Sequence, residues 1–342
     1  MEEQTIVALD AGRSAMKAIA YANGIKTETV IPSIVAPWES ISDDAQAEKA
    51  EIETVEVFGR KYFCGETARI VSGTSMMTGL DDNWHTTKEY RALCLAAIKK
   101  LVHMGVPGLT NPLVIVGTPA KLFQAHRAKH QEVTAQTING TVRAISQPMG
   151  AYFSYLLDDR GVPHRDRLFR KNGSKRSWGI IEIGHFTTDF VLIREGAPID
   201  NSFRSCEGMS VASDRLMQIL TNKGYNNQTP LKCATSLVTG TVSLRGEDVS
   251  VSAEVNEAAG YVAERILTMA INTFSAVRED LDGFLIGGGG ASLIFPHLQG
   301  SLHNAVLLEN PRMAVAEGYI KFGTSAILRA TRAQKLMVEA NG

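Results

Sequence analysis

The chain has 342 residues, of which 44% are hydrophobic and 21% are charged, as in an ordinary globular protein. This length exceeds a single core, so two domains are expected. The net charge of −1 gives no general attraction to nucleic acid, no apolar run is long enough to cross a bilayer, and the acidic N-terminus does not resemble a signal peptide. The four cysteines are scattered without a CxxC pair, which favours reduced thiols over a zinc site.

The first of three glycine-containing turns lies near the N-terminus, between two short predicted strands rich in Ile, Val and Ala. Asp10 ends the first strand, and Gly12, Ser14 and Lys17 follow it. Phosphate groups require backbone N–H donors, a cation and room for close approach, which these three residues would supply. A carboxylate cannot bind phosphate directly, so we expect Asp10 to hold Mg²⁺ through water. A simple hairpin with Asp10 as a turn residue is the alternative.

The rest of the first half alternates short apolar runs with helical periodicity. The pattern predicts a hairpin over 55–63, a helix over 88–104, strands over 113–117 and 142–146, and helices over 120–131 and from Gly150. The polar, acidic residues 38–56 are expected to form a surface excursion. Between 158 and 177 basic and turn-forming residues replace the apolar periodicity, which indicates a domain boundary. A solvated loop is favoured there over a nucleic-acid patch.

The second half opens on a similar unit, in which Glu182 ends a strand and Gly184, Thr187 and Thr188 follow. Gly184 would let backbone amides turn inward, and a second acid would complete the Mg²⁺ shell. The elements that follow are a strongly periodic helix over 254–279 and a strand over 283–286. Two matched units in one chain predict two duplicated α/β domains, with a nucleotide in a cleft between them.

The third turn consists of four glycines, Gly287 to Gly290, between a strand and a helix. It lacks the spacing of the dinucleotide fingerprint GxGxxG and of the P-loop, so by itself it is weak evidence for a nucleotide. Because glycine has no side chain, a flat base or a ribose could nevertheless lie directly against the backbone of this turn. Because the turn offers no side chain that reads the purine 6-position, we expect GTP to serve as well as ATP.

Together the three turns resemble those of the actin, heat-shock chaperone and sugar-kinase ATPase superfamily, over about residues 4–323. Within it the chain is most similar to the plasmid-segregation actins of the ParM (StbA) type. The segments that carry this closer likeness are WGIIEIGHFTTDFVLI, SFRSCEGMSVASDRLMQIL, GFLIGGGGASLIFPHL and NPRMAVAEGYIKFG. The resemblance implies two duplicated actin-like (ribonuclease H-like) domains around a nucleotide cleft. We expect the first over 1–172, the second over 173–323, and a C-terminal helix over 324–342 that packs back on the first.

When the functional residues of the family are carried over to the matching positions of this chain, the resemblance implies that Asp10 and Glu182 position Mg²⁺ and its waters. It also implies that Gln147, in AISQPMGAY, orients the attacking water. The other implied contacts with ATP or ADP are Gly12, Ser14, Lys17, Gly184, Thr187 and Thr188 at the phosphates, Gly288 and Gly289 at the adenosine, and Gly208 near the ribose. Hydrolysis by water is favoured over transfer to a hydroxyl because the Gln147 segment contains no Asp that could act as a base.

Two features depart from the family pattern. The second loop normally begins with Asp, whereas this chain has Glu182, which is one methylene longer. The usual glycine-rich continuation is replaced by His185 and Phe186. This bulky pair either reduces the amides available to phosphate or packs against a neighbouring subunit. A catalytic His185 is the less favoured alternative, because a lone histidine is more often structural.

The resemblance implies a cytoplasmic filament-forming ATPase that polymerises with nucleotide and Mg²⁺ and segregates plasmid DNA through an adaptor protein. Its partners would be further copies of itself and that DNA-binding adaptor, with no direct contact with nucleic acid or membrane. The alternatives are a non-filamentous ATPase, a small-molecule kinase of the same fold, a chaperone-like ATPase, and a nucleotide-binding regulator without turnover. For the C-terminal helix, a role in subunit contacts or adaptor binding is the alternative to packing on the first domain.

Overall fold

The computed structural model describes residues 4–72, 83–199 and 202–341, which form two compact units. The first unit comprises the described parts of Met1–Arg165 and Val315–Gly342, and the second comprises those of Asp166–Ala314. The chain therefore leaves the first unit within the basic segment identified above and returns to it at the start of its last helix. The domain limits expected from the sequence, at 172 and 323, stay predictions.

The first unit is built on a five-stranded sheet. In chain order, its elements before the boundary are β1 (Ile6–Ala11), β2 (Ala15–Ala22), β3 (Ile25–Pro32), β4 (Val35–Pro37), α1 (Asp44–Glu51), β5 (Thr54–Val57), β6 (Arg60–Cys64), α2 (Gly65–Ser72), α3 (Lys88–His103), β7 (Leu113–Thr118), α4 (Phe123–Thr137), β8 (Thr141–Ser146) and α5 (Gln147–Leu156). The sheet order is β3-β2-β1-β7-β8, with β1, β7 and β8 parallel and β2 antiparallel to both its neighbours. All of β7 is buried, as expected for a strand covered on both faces.

A smaller three-stranded sheet, in the order β4-β6-β5, belongs to the same unit. The hairpin predicted over 55–63 is confirmed as β5 and β6, with its turn at Phe58 and Gly59. Both turn residues have positive φ, 53° and 73°. Two-residue hairpins need this backbone because it matches the right-handed twist of the flanking strands.

Capping and first-turn residues determine where two helices of the first unit begin. Helix α1 lies inside the polar segment that was expected to be an excursion, and the Asp43 side chain caps it by accepting a hydrogen bond from a first-turn amide at 2.8 Å. The helix predicted over 88–104 is confirmed as α3. Helix α5 begins at Gln147, three residues before the predicted Gly150, because Pro148 is well suited to a first helical turn.

The second unit repeats this construction. From the boundary on, its elements are α6 (Arg165–Leu168), β9 (Trp178–Ile183), β10 (Thr187–Arg194), β11 (Ala197–Pro198), β12 (Arg204–Glu207), α7 (Met209–Asn222), α8 (Pro230–Thr239), β13 (Thr241–Leu244), β14 (Glu247–Ser250), α9 (Ser252–Phe274), β15 (Gly283–Gly287), α10 (Ala291–Leu298) and β16 (Ala305–Leu307). The main sheet has the order β11-β10-β9-β15-β16, and β12 pairs with β10. The helix predicted over 254–279 is confirmed as α9, which ends at Phe274.

The two main sheets share one topology. In each, a strand that ends in a glycine turn returns antiparallel as the next strand, as β1 does to β2 and β9 does to β10. Two further strands then add in parallel on the other side, β7 and β8 in the first unit and β15 and β16 in the second. The predicted fold class of two duplicated α/β domains is confirmed.

The basic segment at the boundary is tied to the second unit by ion pairs. Arg170 and Arg176 both contact the Asp282 carboxylate, with N–O distances of 2.7 and 2.8 Å. Burial is the largest single effect and opposes ionisation of Asp282, but the hydrogen bonds from Arg170 and the Ser177 amide and the charges of Arg170 and Arg176 together outweigh it, so the pKa of this carboxyl lies below its usual value. Two of the cations that resembled a nucleic-acid patch therefore anchor a loop, which agrees with the interpretation favoured from the sequence.

The last helix, α11 (Ala314–Asn341), is continuous, so the helix expected over 324–342 is its second half rather than a separate element. Its Tyr319 ring occupies the space above Gly117 and Gly150, where a side chain on either glycine would overlap it. From Arg329 to Met337 every side chain that the structure describes is exposed. Within the described ranges, no helix has the length and apolar character needed to cross a membrane.

Candidate functional site

The first glycine turn places an acid, a cation and an amide side chain together. Asp10 is fully buried near the end of β1, directly opposite Lys17 on β2. The Lys17 ammonium lies 2.7 Å from Asp10 Oδ2, and Gln147 Nε2 donates to Asp10 Oδ1 at 2.8 Å. Gln147 reaches this carboxylate because it begins α5 directly after β8, on the edge of the sheet where β1 also ends. The predicted contact of Lys17 with phosphate stays a prediction; in the structure its ammonium contacts Asp10.

The backbone of this turn is held from behind by a residue that the sequence did not single out. Ser33 Oγ donates to the carbonyl oxygen of Gly12 at 2.6 Å, and the Ser33 amide donates to that of Ser14 at 3.0 Å. Because a trans peptide points its C=O and the next N–H in opposite directions, the Arg13 amide faces away from Ser33. In the part of the chain that the structure describes, this amide donates to no backbone acceptor. Ser14 itself is exposed.

Glycine is required in both turns by the same close contact. A Cβ on Gly12 would lie 2.8 Å from the carbonyl oxygen of Ala15, and a Cβ on Gly184 would lie 2.8 Å from that of Thr187. Both distances are shorter than real Cβ contacts, so any other residue would have to displace the following strand. The two turns therefore share their geometry as well as their position in the sheet.

The second acid has a different neighbour. Glu182 lies in β9 with 7% of its surface exposed. In the antiparallel register it is opposite Asp189 of β10, the position that corresponds to Lys17 in the first turn. Paired positions in an antiparallel sheet bring side chains close on one face, and two carboxylates in this arrangement favour a cation. The second turn thus places two acids opposite each other where the first places an acid opposite a lysine.

The N-terminus of α7 supports the second turn. The amides of Gly208, Met209 and Ser210 donate to the carbonyl oxygens of Phe186, Gly184 and His185, at 2.9, 3.0 and 2.6 Å. The same peptide geometry then directs the His185 and Phe186 amides away from α7. Neither amide donates to a backbone acceptor among the residues described. The bulky pair that departs from the family pattern therefore leaves two backbone donors for an anion.

The side chains of this turn are less available than the sequence suggested. Thr188 is fully buried, and its hydroxyl donates to the Glu207 carbonyl oxygen at 3.3 Å, whereas Thr187 is only half-buried. Burial lowers the pKa of His185, against a smaller opposing effect of Asp214, so the imidazole is neutral at pH 7. Its ring makes an edge-to-face contact with Phe186 at a centroid distance of 4.7 Å.

The third turn packs against the end of β9. Gly288 has a φ of 96°, and a Cβ there would overlap the carbonyl group of Ile183. Gly208 is equally restricted, because its Cβ would overlap the Gly184 carbonyl oxygen. Gly289 is exposed and has open space where a Cβ would be. The structure thus brings the glycines assigned to adenosine and ribose together with the second phosphate turn, and Gly289 presents bare backbone beside it.

Each turn, taken by itself, offers oxygen donors that suit a magnesium ion held mainly by phosphate and water. Within the described ranges, no group of three or more His, Cys, Asp or Glu side chains could hold a metal by itself. Mg²⁺ prefers oxygen ligands, keeps several waters, and is commonly bound through one or two carboxylates plus substrate phosphates. Asp10, whose oxygens already contact Lys17 and Gln147, is suited to contact through water. The carboxylates of Glu182 and Asp189 supply the negative charge on the second turn.

Comparison with protein families identifies the two units. Residues 8–150 match the family model for the N-terminal domain of actin-like proteins, and residues 180–300 match the model for the C-terminal domain of the MreB-like archaeal actin homologues. The chain is an actin-like protein. No curated protein sequence matches it.

Solved structures agree with this assignment. A ParM chain from a 15-stranded filament of Clostridium botulinum is 18% identical, with a TM-score of 0.72 over 94% of this chain and 99% of that chain. The actin-like protein Alp7A is 13% identical, with a TM-score of 0.73 over 97% and 99%. An archaeal actin homologue in complex with ADP is 18% identical, with a TM-score of 0.71 over 93% and 99%. At these identities the likeness of the actin-like protein to each of them is one of fold.

Proposed function

We propose that this actin-like protein binds ATP with Mg²⁺ and hydrolyses it. The observation that carries the proposal is the geometry of the two glycine turns. In each, the carbonyl oxygens are held back by hydrogen bonds, and amides of Arg13, His185 and Phe186 are directed away from those bonds. Inward-facing backbone amides beside a cation are what phosphate groups require. The ADP complex of the archaeal actin homologue supports a nucleotide as the ligand.

The first turn would carry the hydrolytic step. Gln147 is fixed by its hydrogen bond to Asp10, which leaves its amide oxygen to accept a hydrogen bond from the attacking water. The Lys17 ammonium, 2.7 Å from the buried Asp10 carboxylate, balances its charge. Catalysis of this kind works by positioning and by fixed dipoles rather than by covalent chemistry. When bound, Mg²⁺ neutralises charge on the phosphates.

The roles assigned to the remaining residues are part of the proposal. Gly12, Ser14 and Gly184 offer close approach to the phosphates, and Thr187 offers a hydroxyl. Thr188 would contribute only through its backbone, because its side chain is buried against β12. Gly208, Gly288 and Gly289 would lie along the nucleoside. Glycine backbone discriminates poorly between purines, so we propose that GTP also binds.

We further propose that the protein polymerises in the cytoplasm when it holds nucleotide and Mg²⁺, and that the polymer moves plasmid DNA through an adaptor protein. The support is the similarity in fold to the ParM chain of the Clostridium botulinum filament. A non-filamentous ATPase or a small-molecule kinase of the same fold is the alternative. A kinase would need an acid that accepts the substrate proton, and the first turn's buried acid, Asp10, already has hydrogen bonds to both carboxylate oxygens.

Sedimentation of the purified protein with and without ATP–Mg²⁺, combined with phosphate release across a range of protein concentrations, tests the proposal. We expect pelleting only with nucleotide, and phosphate release that rises more steeply than protein concentration. Release that stays proportional to concentration, with no pelleting, would favour the non-filamentous ATPase. Absence of release together with phosphorylation of an added hydroxyl compound would favour the kinase.

A further inference from the structure

The segment between β3 and β4 holds a buried hydroxyl that serves the first glycine turn. Ser33 is 1% exposed and lies 21 residues after Gly12 in the chain. Its Oγ donates to the Gly12 carbonyl oxygen at 2.6 Å, and its amide donates to the Ser14 carbonyl oxygen at 3.0 Å. One residue therefore fixes two of the carbonyl groups in this turn.

The strand pairing explains why this residue reaches the turn. Strands β2 and β3 pair over their full length, with Ala15 opposite Pro32 at the end. The next residue along β3, Ser33, then meets the residue before Ala15, which is Ser14. Pro32 has no N–H, so Ser33 is the first residue after it that can donate a backbone hydrogen bond to the turn.

These two bonds control which backbone groups face an anion. A carbonyl oxygen aimed at a phosphate would repel it, whereas an amide would bind it. With the Gly12 carbonyl oxygen bonded to Ser33, the following amide, that of Arg13, points to the opposite side of the turn. In the second unit, the carbonyl oxygens of the turn are bound by the amides of Gly208, just before α7, and of Met209 and Ser210 in its first turn. In the first unit, Ser33 has the corresponding role.

We propose that Ser33 is a positioning residue for phosphate binding: it keeps the carbonyl oxygens of the first turn away from the nucleotide and aims the Arg13 amide at a phosphate group. This inference rests on the proposed binding of ATP. In this role Ser33 contacts no ligand itself and acts only on the turn that binds phosphate. Its loss therefore lowers the affinity for ligands that carry phosphate and leaves the affinity for other ligands unchanged.

Calorimetric binding of ATP–Mg²⁺ and of adenosine to wild type and to Ser33→Ala tests the proposal. We expect the affinity for ATP–Mg²⁺ to fall about three- to tenfold, the range for one neutral hydrogen bond, while the affinity for adenosine stays unchanged. Ser33→Thr, which keeps the donor, should restore ATP binding to within about twofold of wild type. An equal loss of affinity for both ligands, or an unchanged affinity for ATP–Mg²⁺, would overturn the proposal.

A matched control separates positioning from general stability. Thr54 is also buried, and its hydroxyl donates to the Ala50 carbonyl oxygen at 2.8 Å, at the end of α1. Thr54→Val should lower the thermal midpoint as Ser33→Ala does, with the ATP-to-adenosine affinity ratio unchanged. If Ser33→Ala does not fold, Ser33→Cys keeps the size and a weak donor, and its affinity ratio should lie between those of wild type and a complete loss.

The same experiment distinguishes this inference from the proposed function. Wild type that binds no ATP–Mg²⁺ would overturn both. Wild type that binds ATP–Mg²⁺ more tightly than adenosine, with an unchanged ratio in Ser33→Ala, would overturn the role of Ser33 alone.

Discussion

The two glycine turns share a backbone and differ in charge. Gly12 and Gly184 make the same 2.8 Å approach to the strand that follows, and both turns end a central strand of a sheet with the same order. In the first, Asp10 is neutralised by Lys17; in the second, Glu182 is opposite another acid, Asp189. The two duplicated units thus share the backbone geometry of the turn and differ in the side chains beside it. Under the proposed function, this difference predicts that the first turn holds a reacting group in place and that the second turn contributes to Mg²⁺ binding.

The largest expected effect comes from removing the acid of the first turn. Asp10→Ala takes away the carboxylate that fixes Gln147, so we expect ATP hydrolysis to fall on the order of a hundredfold or more. Nucleotide binding should weaken much less, because the glycines proposed to contact the nucleoside, Gly208, Gly288 and Gly289, belong to the second unit. Single-turnover hydrolysis and equilibrium binding measure the two effects. Equal losses in both would mean that Asp10 is structural. Glu182→Ala is the matched variant in the second turn and should mainly raise the Mg²⁺ concentration required.

Removing the side-chain amide of Gln147, which is hydrogen-bonded to Asp10, should slow hydrolysis without preventing assembly. Gln147→Ala deletes the side chain proposed to orient water, and we expect phosphate release to fall about tenfold to a hundredfold. Pelleting with ATP–Mg²⁺ should persist, and the filaments should last longer because they keep their triphosphate. Light scattering after assembly, recorded together with phosphate release, tests this. An unchanged filament lifetime would remove Gln147 from the mechanism.

Acid should destabilise the first unit through a buried histidine. His130 accepts or donates hydrogen bonds at both ring nitrogens, with Thr118 at 2.9 Å and Tyr90 at 2.7 Å. Burial, with a smaller effect of His85, lowers the pKa of His130 from 6.5 to about 3. The unfolded chain therefore takes up a proton first, and the free energy of unfolding falls as pH drops below 6.5, by about 2 kcal/mol at pH 5.

Urea unfolding of wild type and His130→Gln at pH 7 and pH 5 measures this effect. The variant cannot titrate at this position, so its loss between the two pH values should be smaller than that of wild type by about 2 kcal/mol. An equal loss in both proteins would show that other groups control the acid response.

Matched glycine substitutions test whether the two turns are equivalent in structure. Gly12→Ala and Gly184→Ala each place a Cβ against the carbonyl oxygen of the following strand. We expect each to lower the free energy of unfolding by about 1–3 kcal/mol and to weaken ATP binding. Gly289→Ala, where a Cβ has open space, is the control and should change stability little. A large cost at only one of the two turns would break the structural equivalence.

The smallest effect concerns the end of the chain. A protein that ends at Leu328 loses only residues whose described side chains are exposed, so its thermal midpoint should match wild type. A protein that ends at Gly323 also loses the buried Ala326 and should melt lower. If the version ending at Leu328 also melts lower, the end of α11 packs on the protein. If it folds normally but no longer pellets with ATP–Mg²⁺, this end belongs to a subunit contact.

Local sequence predicted the strands, the glycine turns and the acids that end them, because these features follow from apolar runs and backbone space. The Asp10–Lys17 ion pair could also have been predicted, since a hairpin with these strands puts the two residues in register. The same register would have shown Asp189 opposite Glu182.

Other features depend on contacts between elements that are distant in sequence, which a local pattern cannot predict. Ser33 reaches the first turn only because β3 pairs with β2 over its full length. The burial of Thr188 depends on β12, a strand that joins the sheet later in the chain. Neither contact has a signature in the residues around it. The sequence left open whether His185 and Phe186 reduce the available amides or pack against a neighbouring subunit, because it does not show that the N-terminus of α7 binds the carbonyl oxygens of this turn.

Hydrogen exchange at the two turns measures whether the amides of both turns bind phosphate. Peptides that cover 10–16 and 182–188 would be followed by mass spectrometry with and without ATP–Mg²⁺. We expect both peptides to exchange more slowly with nucleotide, because the amides of Arg13, His185 and Phe186 then donate to phosphate. Adenosine should protect neither peptide. Unchanged exchange in both peptides at saturating ATP–Mg²⁺, or protection of only one, would contradict the claim that the two turns bind phosphate in the same way.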